Sequence, residues 1–359
     1  MTILTLRISQ LVPGMILAED VYTAGKQRIL SHNTIISQKI IMKLKLYTIK
    51  EVIVYIPKNI AEQIVNKPFK ENELKNSIEF KKFKKTYIEA TEALKSSFQG
   101  LLGYSGDKFD TTKLLQTTNS LLKECRSSLR TFDMLQCMQE LDDLVYVHSM
   151  NVTLICSSFA SWLNLSPDDM QQLLLAAMLH DIGKLQIPKE IIHKPTALSK
   201  EEFIMIQKHP LLGYELTKDL NLDSRITDAI LMHHERCDGT GYPYHRSSNE
   251  VAEFAKIIAI ADVYDAMTSK RIYRNQICPF EVIQNFEREG FQKYDAAYLL
   301  PFLESLALAY INATVRLSNS LVGEVIMINR LSLSRPIVKV NDKFFDLSKE
   351  KELQIVSVI

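Results

Sequence analysis

The fold of this chain is decided by residues 173–184, which read LLLAAMLHDIGK. The uninterrupted apolar run from Leu173 to Leu179 predicts the buried part of a helix. His180 and Asp181 follow at once, and burying them is unfavourable unless they are paired or bind a metal. Because a carboxylate has two oxygens, Asp181 could bridge two ions. The stretch therefore predicts a buried polar or metal site at the end of a core helix.

Outward from this stretch, the pattern divides the chain into four parts. Helical spacing of apolar residues continues from about residue 88 to 315, with little strand-like alternation. Earlier residues combine the strand-like run Val52 to Ile56 with helical spacing around Ile41, and the last residues form β-branched runs. We therefore expect a mainly α protein with a small N-terminal α+β domain (1–65), a charged linker and helical connector (66–137), an all-helical domain (138–315) and a C-terminal β extension (316–359).

The composition excludes several classes of protein. The chain has 359 residues, enough for two or three folded units, and 46% hydrophobic and 24% charged residues are ordinary for globular domains. Its formal net charge of +1 creates no global attraction for nucleic acid or anionic membranes. The five cysteines form no CxxC pair, which argues against a disulfide framework or a cysteine-built zinc site. We expect a cytoplasmic protein with no membrane insertion and no nucleic-acid polymer as partner.

The most basic segment, residues 66–86, has seven lysines against three glutamates. Phenylalanines interleave with the lysines, as in some nucleic-acid interfaces, but no second basic cluster extends the footprint. A solvated helix or linker is the favoured interpretation.

Within the helical block, five of the chain's eight histidines lie beside acidic or glycine-rich punctuation: His148, His180, His209, His233 and His234. Adjacent imidazoles diverge on a helix, so His233 and His234 could reach one ion only from a helix end or a loosened turn. Downstream, Asp262 and Asp265 are three residues apart and share much of one helix face. Imidazole and carboxylate ligands without thiolates suit Fe, Mn, Co, Ni or Zn. One such residue is a weak signal, but their order within one helical domain favours a metal centre.

From about residue 140 to 315, the chain resembles the HD-GYP family, a branch of the HD-domain metal phosphohydrolases associated with hydrolysis of the bacterial second messenger cyclic di-GMP. The motifs that carry the resemblance are HSMNV (148–152), HDIGK (180–184), HP (209–210), HHERCDGTGYP (233–243), ADVYDAMT (261–268) and RIYR (271–274). The resemblance implies an all-helical HD-type bundle and makes residues 138–315 the catalytic domain.

The family pattern implies two divalent metal ions that share Asp181. Carried over to this sequence, one ion is held by His148, His180, Asp181 and Asp262, and the other by Asp181, His209, His233 and His234. Fe or Mn is favoured, with Zn, Co and Ni left open. Some members place a glutamate four residues before the first histidine to help hold a third metal. Here that position is Leu144, so two ions are favoured over three.

The resemblance also implies roles around the metals. Lys184 would contact the scissile phosphate, and Asp265 would stabilise developing charge or assist departure of the 3′ oxygen. Arg271 and Arg274 correspond to phosphate-side contacts, although exposed arginines are also ordinary solvated charges. Gly241 and Tyr242 would belong to a substrate-binding loop beside the cleft, although the segment DGTGYP is equally a good turn.

The implied activity is that of a phosphodiesterase, in which a metal-activated hydroxide attacks cyclic di-GMP and yields pGpG, with further hydrolysis to GMP left open. Two alternatives stay open. The domain could bind cyclic di-GMP or a diguanylate cyclase (GGDEF) domain without hydrolysis, as a receptor or scaffold. It could instead hydrolyse another cyclic dinucleotide, such as cyclic GMP-AMP. A regulatory role for the N-terminal domain and a homodimer are further expectations.

Overall fold

The computed structural model describes residues 2–7, 11, 15–23, 27–47, 49, 51–56, 71–103, 109–125, 128–138, 144–269 and 277–359. The chain forms two compact units, Met1–Lys67 and Pro68–Ile359. The boundaries of the four parts drawn from the sequence stay predictions.

The first unit is a small α+β fold. Its elements are β1 (Thr2–Arg7), β2 (Ile16–Leu17), β3 (Val21–Tyr22), β4 (Arg28–Leu30), α1 (Gln38–Leu46) and β5 (Glu51–Ile56). The central strand β5 pairs antiparallel with β1 and β2, and β3 pairs with β4. Met15, Leu17, Leu44 and Val54 are fully buried in its core, as expected for apolar residues that alternate on a strand or recur on one helix face.

The second unit is a helical bundle that ends in a β-sheet. Its long helices are α3 (Ile78–Leu101), α4 (Thr111–Glu124), α5 (Ser128–Cys137), α6 (Leu144–Trp162), α7 (Pro167–Leu179), α10 (His209–Thr217), α11 (Ser224–Met232), α12 (Glu253–Thr268) and α15 (Ala296–Ala309). The shorter helices are α2 (Glu71–Asn76), α8 (Lys189–Ile192), α9 (Lys200–Ile206), α13 (Pro279–Asn285) and α14 (Phe291–Lys293). The mainly α fold predicted from the sequence is confirmed.

Helix α7 is the core helix that the apolar run predicts. Ser166 caps its N-terminus by accepting the Asp169 N–H at 3.1 Å, and Pro167 occupies the first turn, where a missing N–H costs nothing. All seven residues 173–179 are buried, and each large apolar side chain contributes about 1.5–3 kcal/mol of burial. The helix is therefore a fixed reference from which the residues after it are placed.

The basic segment is partly a solvated helix face. On α3, Lys81 and Lys82 are exposed, whereas Phe80 and Phe83 are buried in the helical core. The phenylalanines that interleave with these lysines therefore serve packing and are not available to stack on bases.

The C-terminal strands form one antiparallel sheet in the order β10-β6-β7-β8-β9. They are β6 (Thr314–Leu317), β7 (Val322–Asn329), β8 (Ser332–Val340), β9 (Lys343–Asp346) and β10 (Ile355–Val358). Their inward residues, such as Val315 and Val338, join the same core as the helices. The Glu287 carboxylate accepts the Leu333 N–H at 2.5 Å and ties the sheet to the bundle. Among the helices that the structure describes, none is both long and apolar enough to cross a membrane.

Candidate metal centre

A tight turn after α7 starts the polar cluster. Because α7 ends at Leu179, His180 and Asp181 leave the helix and enter the 3-10 turn Ile182–Gln186. Gly183 lies so close to α10 that a Cβ would come within 2.0 Å of the His209 carbonyl oxygen. Only glycine permits this approach, which brings Asp181 next to His209.

Four further helices supply the rest of the cluster. His148 lies near the start of α6, His209 is the first residue of α10, and Asp262 lies in α12. Helix α11 ends at Met232, and His233 and His234 follow immediately. A helix end is where two adjacent imidazoles can turn towards one point, as the adjacency of His233 and His234 requires.

The cluster has two halves that meet at Asp181. The His148 half consists of His148, His180 and Asp262, and the His233 half consists of His209, His233 and His234. The potential ligand atoms of the His148 half lie within 4.8 Å of one another. Those of the His233 half and Asp181 also lie within 4.8 Å of one another. The structure thus brings together all seven residues that the sequence singled out as ligands.

Each carboxylate oxygen of Asp181 faces one half. Oδ1 lies 3.2 Å from His209 Nε2 and 3.8 Å from His233 Nε2. Oδ2 lies 3.5 Å from the Nε2 atoms of both His148 and His180. Asp181 is 1% exposed, so this carboxylate is committed to the cluster and not to solvent.

Backbone carbonyls fix three of the imidazoles. In His180, His209 and His233, Nδ1 lies 2.7–2.8 Å from the carbonyl oxygen of the residue three positions earlier. A carbonyl only accepts, so Nδ1 carries the proton and Nε2 of the neutral ring presents a lone pair. Burial lowers the pKa of His180 and, more strongly, of His233, which favours the neutral form. Metal-ligating histidines are commonly oriented by such outer hydrogen bonds.

The inward-facing atoms fit metal ions. His209 Nε2 and His233 Nε2 lie 3.1 Å apart, and two lone pairs at this distance repel unless a cation neutralises them. His180 Nε2 and Asp181 Oδ1 are buried without a hydrogen-bond partner among the residues that the structure describes. Unpaired buried polar atoms are costly. Divalent cations with imidazole and carboxylate ligands would satisfy all four atoms.

The imidazole of His148 lies between carboxylates. Asp262 Oδ1 lies 3.0 Å from its Nε2, and Asp265 Oδ2 lies 2.7 Å from its Nδ1. Burial disfavours the charged ring, but hydrogen bonds to Asp262 and Asp265 outweigh it and raise the pKa of His148 to about 9. In the metal-free protein at neutral pH, this ring therefore carries a second proton, on the nitrogen that a metal would bind.

Asp265 lies on the opposite side of the His148 ring from Asp181. Its Oδ1 accepts the Asn151 Nδ2–H at 2.9 Å and the Ser269 hydroxyl at 2.7 Å, while Oδ2 accepts from His148. With both oxygens occupied in this way, Asp265 orients the ring of a potential ligand. Its role in stabilising developing charge or in departure of the 3′ oxygen stays a prediction.

Lys184 reaches the cluster from a partly exposed position. Its Nζ lies 2.5 Å from Asp181 Oδ2, and its side chain is 22% exposed. Burial alone would raise the pKa of Asp181, but this pKa is held well below its ordinary value, and the Lys184 ammonium is the largest cause that lowers it. Asp181 is therefore ionised and available as a ligand at any pH near neutrality.

The loop after His234 packs on the His233 half. The Tyr242 ring stacks on His234, with ring centroids 4.6 Å apart and planes 26° apart. Gly241 packs against the backbone of residues 234–236. A Cβ at this position would come within 2.5 Å of the His234 carbonyl oxygen. Both residues predicted as loop contacts thus adjoin a potential ligand.

Sequence reasoning missed two buried polar residues beside the cluster. Asn151 donates to Asp265, and its only signal is its position three residues after His148 on the same helix. The buried Glu235 accepts the backbone N–H groups of Tyr244 at 2.7 Å and Arg246 at 3.0 Å, which fixes the loop. A buried glutamate directly after two histidines is the signal that could have identified it.

Two predicted site residues are not described. Arg271 and Arg274, the predicted phosphate contacts, lie outside the described residues, and their role stays a prediction. Leu144 is the first residue of α6. It occupies the position at which some family members have a glutamate that helps hold a third metal.

Comparison with known proteins agrees with the motifs. A sequence model described as "HD domain" matches residues 118–298. A cyclic di-GMP phosphodiesterase of Pseudomonas aeruginosa is 34% identical over 200 residues, which cover 55% of this chain and 48% of the relative. A 3′3′-cGAMP-specific phosphodiesterase of Vibrio cholerae is 35% identical over 144 residues, which cover 40% of this chain and 33% of the relative. This chain thus spans half of these relatives' length or less.

A solved structure was also found to be similar. An HDG"Y"P protein from Bdellovibrio bacteriovorus is 15% identical, with a TM-score of 0.47, over 85% of this chain and 99% of that chain.

Proposed function

This chain belongs to the HD domain family, and from that premise we propose that it is a metal-dependent phosphodiesterase that hydrolyses cyclic di-GMP. The observation that carries the proposal is the position of Asp181. One of its oxygens faces the His148 half and the other faces the His233 half, as a carboxylate shared by two ions requires.

The proposed ligands follow the two halves of the cluster. His148, His180 and Asp262 would hold one ion, His209, His233 and His234 the other, and Asp181 both. When bound, two such ions polarise a phosphodiester and lower the pKa of water to near neutrality. Fe or Mn is proposed from the family resemblance. The ligands are nitrogen and oxygen atoms without thiolate, and this donor set suits Zn, Co and Ni as well.

The chain's own residues have the following proposed tasks. Lys184 carries an ammonium group at the accessible side of the cluster and would bind a phosphate oxygen, where it offsets charge that develops during hydrolysis. Asp265 holds the His148 ring with Nδ1 protonated, so that Nε2 is presented to an ion. Tyr242 holds His234 by stacking and would line the substrate cleft with Gly241. Arg271 and Arg274 remain proposed phosphate contacts.

The substrate is proposed from the relatives. Cyclic di-GMP comes first because relatives from several organisms carry the name cyclic di-GMP phosphodiesterase. The relative named as specific for 3′3′-cGAMP makes this mixed cyclic dinucleotide the second candidate. The expected first product of cyclic di-GMP is pGpG, and hydrolysis to GMP would require a second cleavage.

The test uses the full chain purified without oxygen and loaded with Mn²⁺ or Fe²⁺. Cyclic di-GMP and 3′3′-cGAMP are supplied separately, and products are separated by chromatography. We expect pGpG to appear, to require the metal and to vanish with a chelator. Tight binding of cyclic di-GMP without turnover by metal-loaded protein would instead establish the receptor or scaffold alternative, and a higher kcat/KM for 3′3′-cGAMP would reassign the substrate.

Other predictions complete the proposal. We propose a regulatory role for the first unit, a cytoplasmic location, and GGDEF domains or a second copy of the chain as partners. Co-purification with a diguanylate cyclase and measurement of the molar mass in solution would test the last two.

A further inference from the structure

A chain of buried hydrogen bonds links helix α3 to His148. It begins at Tyr87, whose side chain is fully buried and whose ring packs 5.8 Å from that of Phe83. The Tyr87 hydroxyl lies 2.7 Å from Asn151 Oδ1 and 3.1 Å from the Val147 carbonyl oxygen. Tyr87 therefore touches α6 at two points, one residue before and three residues after His148.

The chain continues from Asn151 to the imidazole. Asn151 Nδ2 donates to Asp265 Oδ1 at 2.9 Å, and Asp265 Oδ2 accepts the His148 Nδ1–H at 2.7 Å. Ser269 adds a second hydrogen bond to Asp265 Oδ1, at 2.7 Å. Four residues from three helices, and Ser269 just after α12, thus form one connected and largely buried network.

The chemistry of each group fixes the direction of every bond. Asp265 Oδ1 accepts from Asn151 Nδ2, so the Asn151 amide turns its NH₂ towards Asp265. The amide oxygen then faces Tyr87, and the single hydroxyl proton of Tyr87 is what that oxygen needs. Each link supports the next, which is the condition for a network to act as a unit.

We propose that Tyr87 is a positioning residue for the metal centre, acting on the His148 half through Asn151 and Asp265. The inference rests on the proposed function, because it requires that the cluster binds metal. Tyr87 lies outside residues 118–298, so the family domain alone does not complete this support. The affinity of the His148 half thereby depends on where α3 holds the Tyr87 hydroxyl.

The alternative is that Tyr87 only packs. Its ring lies in an aromatic row with Phe80 and Phe83 on the buried face of α3. A packing role predicts that loss of the hydroxyl changes the stability of the protein and leaves metal affinity unchanged. A positioning role predicts a selective change at one half of the cluster.

The experiment compares Tyr87→Phe with Tyr310→Phe in the full chain. Both variants keep the ring and remove one buried hydroxyl, but the Tyr310 hydroxyl bonds Tyr264 and lies outside the network. Mn²⁺ binding is followed by the electron paramagnetic resonance signal of the free ion. It is measured in the wild type and in a His233→Ala background, in which only the His148 half keeps its ligands.

We expect Tyr87→Phe to weaken Mn²⁺ binding by the His148 half roughly 3–10-fold, less than the 10–100-fold typical of groups that bond a ligand directly. Tyr310→Phe should bind as the wild type does. Adding Tyr87→Phe to Asn151→Ala should produce no further loss, because the path is already broken.

Three outcomes overturn the inference. Wild-type Mn²⁺ affinity in Tyr87→Phe, equal weakening in Tyr310→Phe, or additive losses with Asn151→Ala would each reduce Tyr87 to packing. If the wild type itself binds no divalent metal, the proposed function fails. If the wild type binds two ions and Tyr87→Phe binds them equally well, only the role of Tyr87 fails.

Discussion

The two halves of the cluster are built from similar residues but are held in different ways. In the His148 half, His148 lies between the carboxylates of Asp262 and Asp265, and its pKa is raised to about 9. In the His233 half, His209 and His233 donate to backbone carbonyls, and burial holds the pKa of His233 well below its ordinary value. The first half binds a proton when metal is absent, whereas His233 presents a bare lone pair.

This difference shows that local surroundings, more than ligand type, set what each half does without metal. A carboxylate beside an imidazole stabilises its charged form, whereas a carbonyl fixes one tautomer without adding a full charge. The halves share only Asp181, so variants of this residue should affect both. Variants of a ligand that belongs to one half should affect that half alone.

The largest effect is expected from Asp181→Ala, which removes the shared ligand. Both ions should be lost after dialysis, and hydrolysis should fall by more than roughly 10³-fold, because the ions supply most of the catalysis. Elemental analysis and turnover measured on the same preparation check this. His180→Ala should lose one ion only, and His193→Ala, a histidine outside the cluster, should lose none. An Asp181→Ala protein that keeps either ion would contradict the shared role.

Lys184→Met should reduce kcat by roughly 10²-fold, because one preorganised positive group near the reacting phosphate is lost. The metal content should stay at the wild-type level, since an ammonium group is not a ligand. Steady-state kinetics with metal analysis checks both. Lys194→Met is the matched control, because Lys194 also pairs with a carboxylate, that of Glu202 at 2.6 Å, outside the cluster. Loss of metal from Lys184→Met would move this lysine from substrate binding to support of Asp181.

His148 and His233 should contribute opposite pH dependences to the stability of the metal-free protein. His148 has a raised pKa, so its contribution to the free energy of unfolding is complete below about pH 6.5. This contribution is lost as the pH rises through about 9. His233 has a lowered pKa, so its contribution is complete above about pH 6.5 and is lost as the pH falls below that value.

Denaturant unfolding in excess chelator from pH 5 to 9.5 measures this effect. The alkaline loss should be at most about 3 kcal/mol, and it should be absent from His148→Gln, which cannot titrate. The acidic loss should remain in this variant. If wild type and His148→Gln lose the same free energy between pH 6.5 and 9, the carboxylates do not hold a proton on His148.

Sequence reasoning predicted the residues of the cluster because its signals are local. His180 and Asp181 directly follow an apolar helix, and a buried polar pair at that point needs partners. The spacing of Asp262 and Asp265 placed them correctly on one helix face. The helical fold followed from apolar periodicity for the same reason, since this pattern is also local.

The contacts that distinguish the halves are not local and could not be predicted. Tyr87 and Asn151 are 64 residues apart, and Asn151 and Asp265 are 114 apart. In the sequence, Tyr87 is one more aromatic residue on an apolar helix face. The spacing of the two aspartates likewise does not reveal that they contact one imidazole from opposite sides. These contacts depend on packing between helices and on side-chain rotamers.

The smallest effect is expected at Tyr242. Its ring stacks on His234, so its variants test the His233 half alone. Tyr242→Ala removes the stacked ring, so His234 gains freedom, and the His233 half should bind Mn²⁺ roughly 3–10-fold more weakly. The His148 half should be unchanged, because Tyr242 stacks on a ring of the other half. Tyr242→Phe keeps the stacking and should retain the wild-type affinity for Mn²⁺. Equal Mn²⁺ affinity in all three proteins would mean that the stacking does not hold His234, whereas weakening in Tyr242→Phe as well would assign the effect to the hydroxyl group.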